Sequence, residues 1–313
     1  MIARHLSPNV LWTFAGILAL LVTASVLVAV LSLRGGTPAV TELRLRVRSW
    51  WIMAALFALS MLVHPRLSVV FFAFTSFLAL KEYFSLIPTR RADRRVLFWA
   101  YLAIPVQYLW VAREWYGMFI IFIPVYMFLL LPIRMVTIGQ AEGFLRAAGT
   151  LHWGLMTAVF SLSHAAFLLV LPAAGNPGAG SAGLLLFLVL LTEGNDVLQF
   201  VWGKGLGRHK VVPRVSPGKT WEGLLGGLVS TTVLAYLLAP VLTPFGGGES
   251  LFVGSALSVF GFFGDLSISS MKRDLSIKDS GDLIPGHGGV LDRVDSLTYT
   301  APLFFHYVRY FHF

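Results

Sequence analysis

The stretch from Val10 to Leu33 runs without a single charged residue, and it is longer than the roughly 20 residues an α-helix needs to cross a bilayer core. Similar apolar runs recur along the chain, with neither the alternation of a half-buried strand nor the one-sided stripe of a surface helix. Lipid offers backbone amides no partners, so such segments close their hydrogen bonds internally, as helices. Composition agrees: 57% of the 313 residues are hydrophobic and 12% are charged, against about 25% charged in ordinary soluble domains. A water-soluble fold is excluded. The expected class is all-α, a polytopic membrane helix bundle of about nine or ten transmembrane helices. The chain has no Cys, which removes disulfides, thiolate metal sites and cysteine nucleophiles. The first apolar run is too long for a signal-peptide core and no small-residue cleavage pattern follows it, so it is expected to stay as the first span.

Hydropathy places the spans at 10–33, 50–63, 67–80, 97–112, 117–133, 152–172, 183–202, 222–244 and 251–270, with a weaker tenth at 295–312. All the Lys and Arg except Arg4, Arg66, Arg113 and Arg309 then fall beside the ends of odd-numbered spans or in the loops that follow them. Such asymmetry marks the cytoplasmic side. The formal net charge of +9 therefore reads as topology and not as affinity for nucleic acid. The expected location is a bacterial-type cytoplasmic (inner) membrane, with the N-terminus outside and the odd loops in the cytoplasm.

Composition also divides the chain. Residues 1–180 read as N-terminal scaffold helices, aromatic and nearly uncharged within the membrane. Residues 181–313 read as a catalytic region with cytoplasmic loops, because polar groups enter the spans there, beginning with Glu193 and Asp196. Ionisable residues at membrane depth are costly and point to function, although interhelical polar contacts explain such groups equally well. The following loop carries Lys204, Arg208, Lys210, Ser216, Lys219 and Thr220 among glycines. Glycine admits phosphate to the backbone, and basic and hydroxyl side chains bind it. The loop is not a GxxxxGK[ST] nucleotide loop, since Pro213 stands where the first glycine belongs, and as a bare pattern it reads first as a topogenic basic loop, ahead of a phosphate site. A third stretch is denser: six of the 15 acidic residues fall between Asp265 and Asp295, interleaved with Ser270, Lys272, Arg273, Arg293 and a glycine-bracketed His287. Hard carboxylate oxygens of this kind suit Mg²⁺. His164, inside the sixth span, reads as a helix-packing residue.

The run Ser270-x-Lys272-Arg273-x₄-Lys278-Asp279-x₅-Pro285-x-His287-Gly288-Gly289-x₂-Asp292-Arg293-x-Asp295 resembles the C-terminal motif of phosphatidate cytidylyltransferases. The stretches Asp196 to Lys210 and Ser216 to Gly223 resemble the same family, in the same order. The resemblance implies attack by a phosphate oxygen of phosphatidic acid on the α-phosphorus of CTP, giving CDP-diacylglycerol and pyrophosphate. It implies Mg²⁺ on Asp265 and Asp292, with K⁺ as a companion cation. It places Asp196, Lys219, Lys272, Arg273, Asp279, His287, Asp292, Arg293 and Asp295 in the catalytic centre. Lys204, Arg208, Lys210, Ser216, Thr220 and Ser270 join Lys219, Lys272 and Arg273 as substrate contacts. His287 reads equally as a turn-fixing group. The expected partners are CTP, phosphatidic acid or a related lipid phosphate, and membrane lipids, with a homodimer left open and nucleic acid excluded.

One departure stands out. Family members commonly follow the aspartate matching Asp196 with small residues and then Ala-Tyr, whereas this chain has Val197-Leu198-Gln199-Phe200 after Glu193-Gly194-Asn195. It marks a divergent branch and motivates a rival within the same chemistry, a paralogue acting on another lipid or polyprenyl phosphate. An ion-coupled transporter using Glu193, Asp196 and Asp265 is a rival of another class; it would leave the His-Gly-Gly motif idle. A catalytically silent regulator is a third, and the full set of carboxylates argues against it.

Overall fold

Prolines and small polar groups decide where the first helices begin. In the computed structural model, which describes residues 5–34, 37–88, 90, 93–286 and 288–313, α1 (Pro8–Arg34), α2 (Pro38–Val63) and α3 (Pro65–Leu86) each start on a proline, whose missing N–H is no loss in a first turn. Thr37 Oγ1 accepts from the Val40 N–H at 3.4 Å, and His64 Nδ1 from the Arg66 N–H at 3.1 Å. The chain continues through α4 (Arg94–Ala112), α5 (Tyr116–Val136), α6 (Phe144–Leu168), α7 (Gly180–Leu206), α8 (Trp221–Leu242) and α9 (Gly247–Asp274). A short α10 (Leu291–Val294) and a closing α11 (Leu297–His312) follow. Within α5 the turn widens over Phe122–Met127, around Pro124, which cannot donate into the regular ladder.

Among the described residues, α1 to α9 are the helices long and apolar enough to cross a membrane, and extended pairing is confined to two isolated bridges. The protein is an all-α polytopic bundle, as its apolar runs require. The weaker tenth span is also helical: α11 buries Ala301, Phe304, Phe305 and Val308 completely. Its far end reaches the first turn of α9, where Glu249 accepts from Tyr307 Oη at 3.1 Å and pairs with His312. Apart from Tyr299, Tyr310 and Phe311, which are exposed, it runs against protein along most of its length.

Boundaries differ from hydropathy where charge begins a helix. Arg44, Arg46 and Arg48, expected in a loop, lie on the first turns of α2, where Arg46 pairs with Glu42 at 2.5 Å one turn away. At about 1.5 Å per residue a helix of this length exceeds the bilayer core, so its basic turns can stand outside it. Likewise α3 runs on through Lys81 and Glu82, and α6 begins at Phe144 rather than near residue 152. His164 is fully buried on α6; its Nδ1–H donates to the Phe160 carbonyl at 2.7 Å, and its ring meets Phe119, Phe160 and Phe305 edge-on.

Helices α7, α8, α9 and α11 form the centre that carries the site. Asn195 of α7 fastens three of them. Its Oδ1 accepts from Thr231 of α8 at 3.0 Å and from Ser258 of α9 at 2.6 Å, and its Nδ2 donates to the Ser258 carbonyl. Thr192 of α7 and Thr300 of α11 share a buried hydrogen bond at 2.9 Å. Each of these side chains has its partner inside the bundle, which is the condition for polar groups at membrane depth.

Candidate functional site

The loop between α7 and α8 is folded by its own backbone before any ligand is considered. The Trp221 N–H donates to the His209 carbonyl at 2.9 Å and the Val211 N–H to the Lys219 carbonyl at 3.2 Å. Glu222, in the first turn of α8, accepts from the N–H groups of Arg208 and His209 and from His209 Nδ1 at 2.6 Å. Thr220 is the N-cap of α8: its buried hydroxyl oxygen accepts from the Gly223 N–H at 3.1 Å. Its role in the structure is thus to start the helix and aim the preceding residue inward. That residue is Lys219, whose Nζ reaches Asp265 Oδ2 of α9 at 2.6 Å and Gln199 Oε1 of α7 at 3.3 Å.

Around this pair lies an inner acidic set. Asp196, one turn before Gln199 on α7, accepts from the Ser296 hydroxyl at 2.8 Å through Oδ2, while its Oδ1 is buried with no partner among the described residues. Asp265 Oδ1 accepts from Ser269 at 3.1 Å. Asp295, between α10 and α11, has its carboxyl pushed well above the usual range by burial and then by the charges of Asp265 and Asp196. Burial opposes the charge on Lys219, yet Asp265 and Asp196 hold its ammonium above the ordinary value. Arg293 stands within the field of Glu193, Asp196 and Asp295, and its Nε is buried without a partner among the described residues.

An outer set sits at the same end of the bundle. Lys272 Nζ meets Asp292 Oδ1 at 2.6 Å. The other oxygen of Asp292 accepts from the Ser280 N–H at 2.8 Å, the Ser280 hydroxyl at 2.9 Å and the Gly289 N–H at 3.1 Å. Burial works against this charge, but Lys272 and those donors hold the Asp292 carboxyl below the usual range. The sequence puts Asp292 with Asp265 on a metal. In the structure both Asp292 oxygens are engaged by protein donors, and the carboxylates sharing a field with Asp265 are Asp196 and Asp295. Asp292 is thus tied into its own loop, and Asp265 is likewise engaged through both oxygens, by Ser269 and Lys219.

The glycines beside Asp292 follow from that tie. Gly288 has φ +77°, a conformation that L side chains rarely adopt, and a Cβ there would lie 2.7 Å from Asp292 Oδ2. At Gly289 a Cβ would overlap Ser280 Oγ and Glu82 Oε2. His287 lies outside the described residues.

Glu82, near the end of α3, is a site residue that sequence reasoning missed. Its carboxylate accepts from the N–H groups of Val290 at 2.8 Å and Leu291 at 2.9 Å, and from the Ser280 hydroxyl at 3.2 Å. Ser49 of α2 adds a second tie, donating to the Pro285 carbonyl at 2.6 Å. Two helices of the expected scaffold half thus hold the loop of the catalytic half. The available signal was weak: Glu82 follows Lys81 at the edge of an apolar run and reads as one more loop charge. Ser280 and Ser296 were missed in the same way, as uncharged residues beside charged ones, and Gln199 was noted only as a departure after Asp196.

The remaining candidates line the rim. Arg273 ties the end of α9 to both loops, donating to the Val215 carbonyl at 3.0 Å and to the Ile277 carbonyl at 2.9 Å. Ser270 bonds back to the Leu266 carbonyl at 2.8 Å. Lys204, Arg208, Lys210 and Asp279 are exposed and Ser216 is half-buried; Lys204 Nζ stands 5.7 Å over the Phe200 ring.

Among the described residues no three His, Asp or Glu side chains are gathered as a ready-made metal cage. Mg²⁺ does not require one, because it uses one or two carboxylates and completes its shell with water and substrate phosphate. The partnerless Oδ1 of Asp196 beside Asp265 and Asp295 fits such an ion.

Comparison with known proteins agrees with this geometry. The model of the cytidylyltransferase family matches residues 44–311. Over 270 residues the chain is 45% identical to the uncharacterized protein YnbB of Escherichia coli strain K12, covering 86% of this chain and 88% of that one. It is 41% identical over 135 residues to the phosphatidate cytidylyltransferase of Haemophilus influenzae, and 47% identical over 124 residues to that of Pseudomonas aeruginosa. These two matches cover 42% and 39% of this chain and 46% of each relative.

Proposed function

Because the chain belongs to the cytidylyltransferase family, we propose that it is a phosphatidate cytidylyltransferase, joining CTP and phosphatidic acid to give CDP-diacylglycerol and pyrophosphate in phospholipid biosynthesis. The observation that carries this reading is the convergence of two lysine–carboxylate pairs, Lys219–Asp265 and Lys272–Asp292, with Asp196, Asp295 and Arg293 at one end of a membrane bundle. That end holds most of the basic residues, so it faces the cytoplasm, where CTP is, and the membrane is the bacterial inner membrane.

In the reaction a phosphate oxygen of the lipid forms a bond to the α-phosphorus of CTP, and the bond from that phosphorus to the bridging oxygen of the β-phosphate breaks. The phosphate nucleophile is already ionised near neutral pH, so the protein needs no strong base. Its work is positioning and charge neutralisation. Lys219 and Lys272, released from Asp265 and Asp292 by incoming phosphates, would hold the lipid phosphate and the triphosphate. Arg273 and Arg293 would stabilise the charge on leaving pyrophosphate. Asp265 and Asp196, with Asp295 beside them, would hold Mg²⁺, which neutralises phosphate charge when bound, with K⁺ as its companion.

The test is CTP turnover by the purified protein in phosphatidic-acid vesicles, with and without Mg²⁺. CDP-diacylglycerol should form only with both CTP and the divalent cation. Incorporation of label only into a different phosphate-bearing lipid would replace the substrate while keeping the reaction. That second reading is favoured by the run Val197-Leu198-Gln199-Phe200 after Asp196, which departs from the family pattern of small residues followed by Ala-Tyr.

A further inference from the structure

Gln199 sits beside the reacting centre with half of its amide unused. It is 4% exposed on α7, its Oε1 accepts from Lys219 Nζ at 3.3 Å, and its Nε2 is buried without a partner among the described residues. The amide orientation follows from chemistry. An ammonium only donates, so the group facing Lys219 must be the oxygen, and the nitrogen must face away. A buried NH₂ with no acceptor is costly, and the packing is arranged to keep it: Gly227 of α8 lies directly against Gln199 Cγ, where any side chain would overlap.

We propose that Gln199 Nε2 is a specificity contact that donates to a non-bridging phosphate oxygen of the lipid substrate while Lys219 holds the same phosphate. This rests on the reading that the site takes a lipid phosphate. The lipid, not the nucleotide, is its partner because of where Gln199 lies. It is seven residues inside the end of α7, about 10 Å below it at 1.5 Å per residue, within the membrane-length part of that helix. The basic loops that suit a triphosphate lie beyond the helix end.

Two substitutions separate recognition from mere support of Lys219. Gln199→Glu is nearly isosteric and keeps an acceptor for Lys219 but has no donor; Gln199→Met removes both. With full-length protein in mixed micelles, the apparent KM for phosphatidic acid should rise about three- to tenfold in Gln199→Met and further in Gln199→Glu, where a carboxylate meets phosphate. The KM for CTP at saturating lipid should stay within about twofold of wild type. An unchanged lipid KM in Gln199→Met, wild-type behaviour of Gln199→Glu, or a rise in the CTP KM instead would each overturn the proposal while leaving the cytidylyl transfer standing. Direct binding of phosphatidic acid by native mass spectrometry supplies a readout without turnover. If wild type has no CTP-dependent activity, the function fails, and equal binding of the lipid by wild type and both variants then overturns the Gln199 contact as well.

Discussion

Replacing Glu82 by Ala removes one carboxylate from α3 and leaves the whole catalytic loop to answer for it. Val290 and Leu291 are 8% and 0% exposed, and their N–H groups donate to Glu82 at 2.8 and 2.9 Å. A buried donor without an acceptor costs about 1–3 kcal/mol, so two of them weaken the closed loop by roughly 2–6 kcal/mol. Glu82 is only half-buried, and water entering its place brings the figure towards the lower end, about 2 kcal/mol. At about 1.4 kcal/mol per tenfold, that is a fall of roughly 30-fold in the ratio of closed to open loop. Ser280 keeps its bonds to Asp292, and the buried apolar core of α7, α9 and α11 is untouched, so insertion and helix content should not change. The assay pairs CTP turnover with tryptic cleavage after the exposed Lys278. Cleavage should accelerate by up to about 30-fold, and turnover should fall to the extent that the open loop becomes populated. Glu82→Gln, which keeps one acceptor oxygen, should fall between Ala and wild type. Wild-type turnover with unaltered cleavage in Glu82→Ala would refute the claim that α3 positions the loop.

Two further outcomes follow from the same geometry. Asp265→Asn removes the charge partner of Lys219 and a ligand of the expected cation; Mg²⁺-dependent CDP-lipid formation should fall by about 100-fold or more, and near-normal rates at saturating Mg²⁺ would remove Asp265 from the metal set. Gly289→Ala puts a methyl group into Glu82 and Ser280, a strain of about 1–3 kcal/mol that should lower activity while leaving the protein's yield in membranes unchanged. Wild-type activity there would show that the loop adapts freely.

How much of this was legible beforehand depended on whether a residue announced itself by charge or by run length. The bundle, the nine membrane-length helices among its described residues and the additional closing helix followed from apolar runs that only helices can satisfy in lipid. Lys219 stood out in a glycine-rich basic loop, and Asp265, Lys272 and Asp292 in a dense run of charge, most of it matching a family motif. What charge could not convey was which carboxylate faces which cation. Asp265 and Asp292 were expected to share an ion; the structure pairs them with two different lysines, Lys219 in the loop before α8 and Lys272 on α9. Thr220 was singled out because hydroxyls bind phosphates; that its hydroxyl also caps α8 was not legible. Arg44, Arg46 and Arg48 were expected in a loop because charge interrupts hydropathy, although it does not interrupt a helix. Glu82 was hidden by distance: no local pattern connects it with Ser280, Val290 and Leu291.

That distance has a consequence during synthesis. Glu82 and the amides it accepts from are about two hundred residues apart, and at roughly 5–20 residues per second the ribosome needs on the order of 10–40 s to deliver the second after the first. Through that interval α3 sits in the bilayer with its acid uncapped by its eventual partners. A chain arrested before residue 291 would keep it so, giving membrane proteases and insertion chaperones a means to tell unfinished from finished molecules.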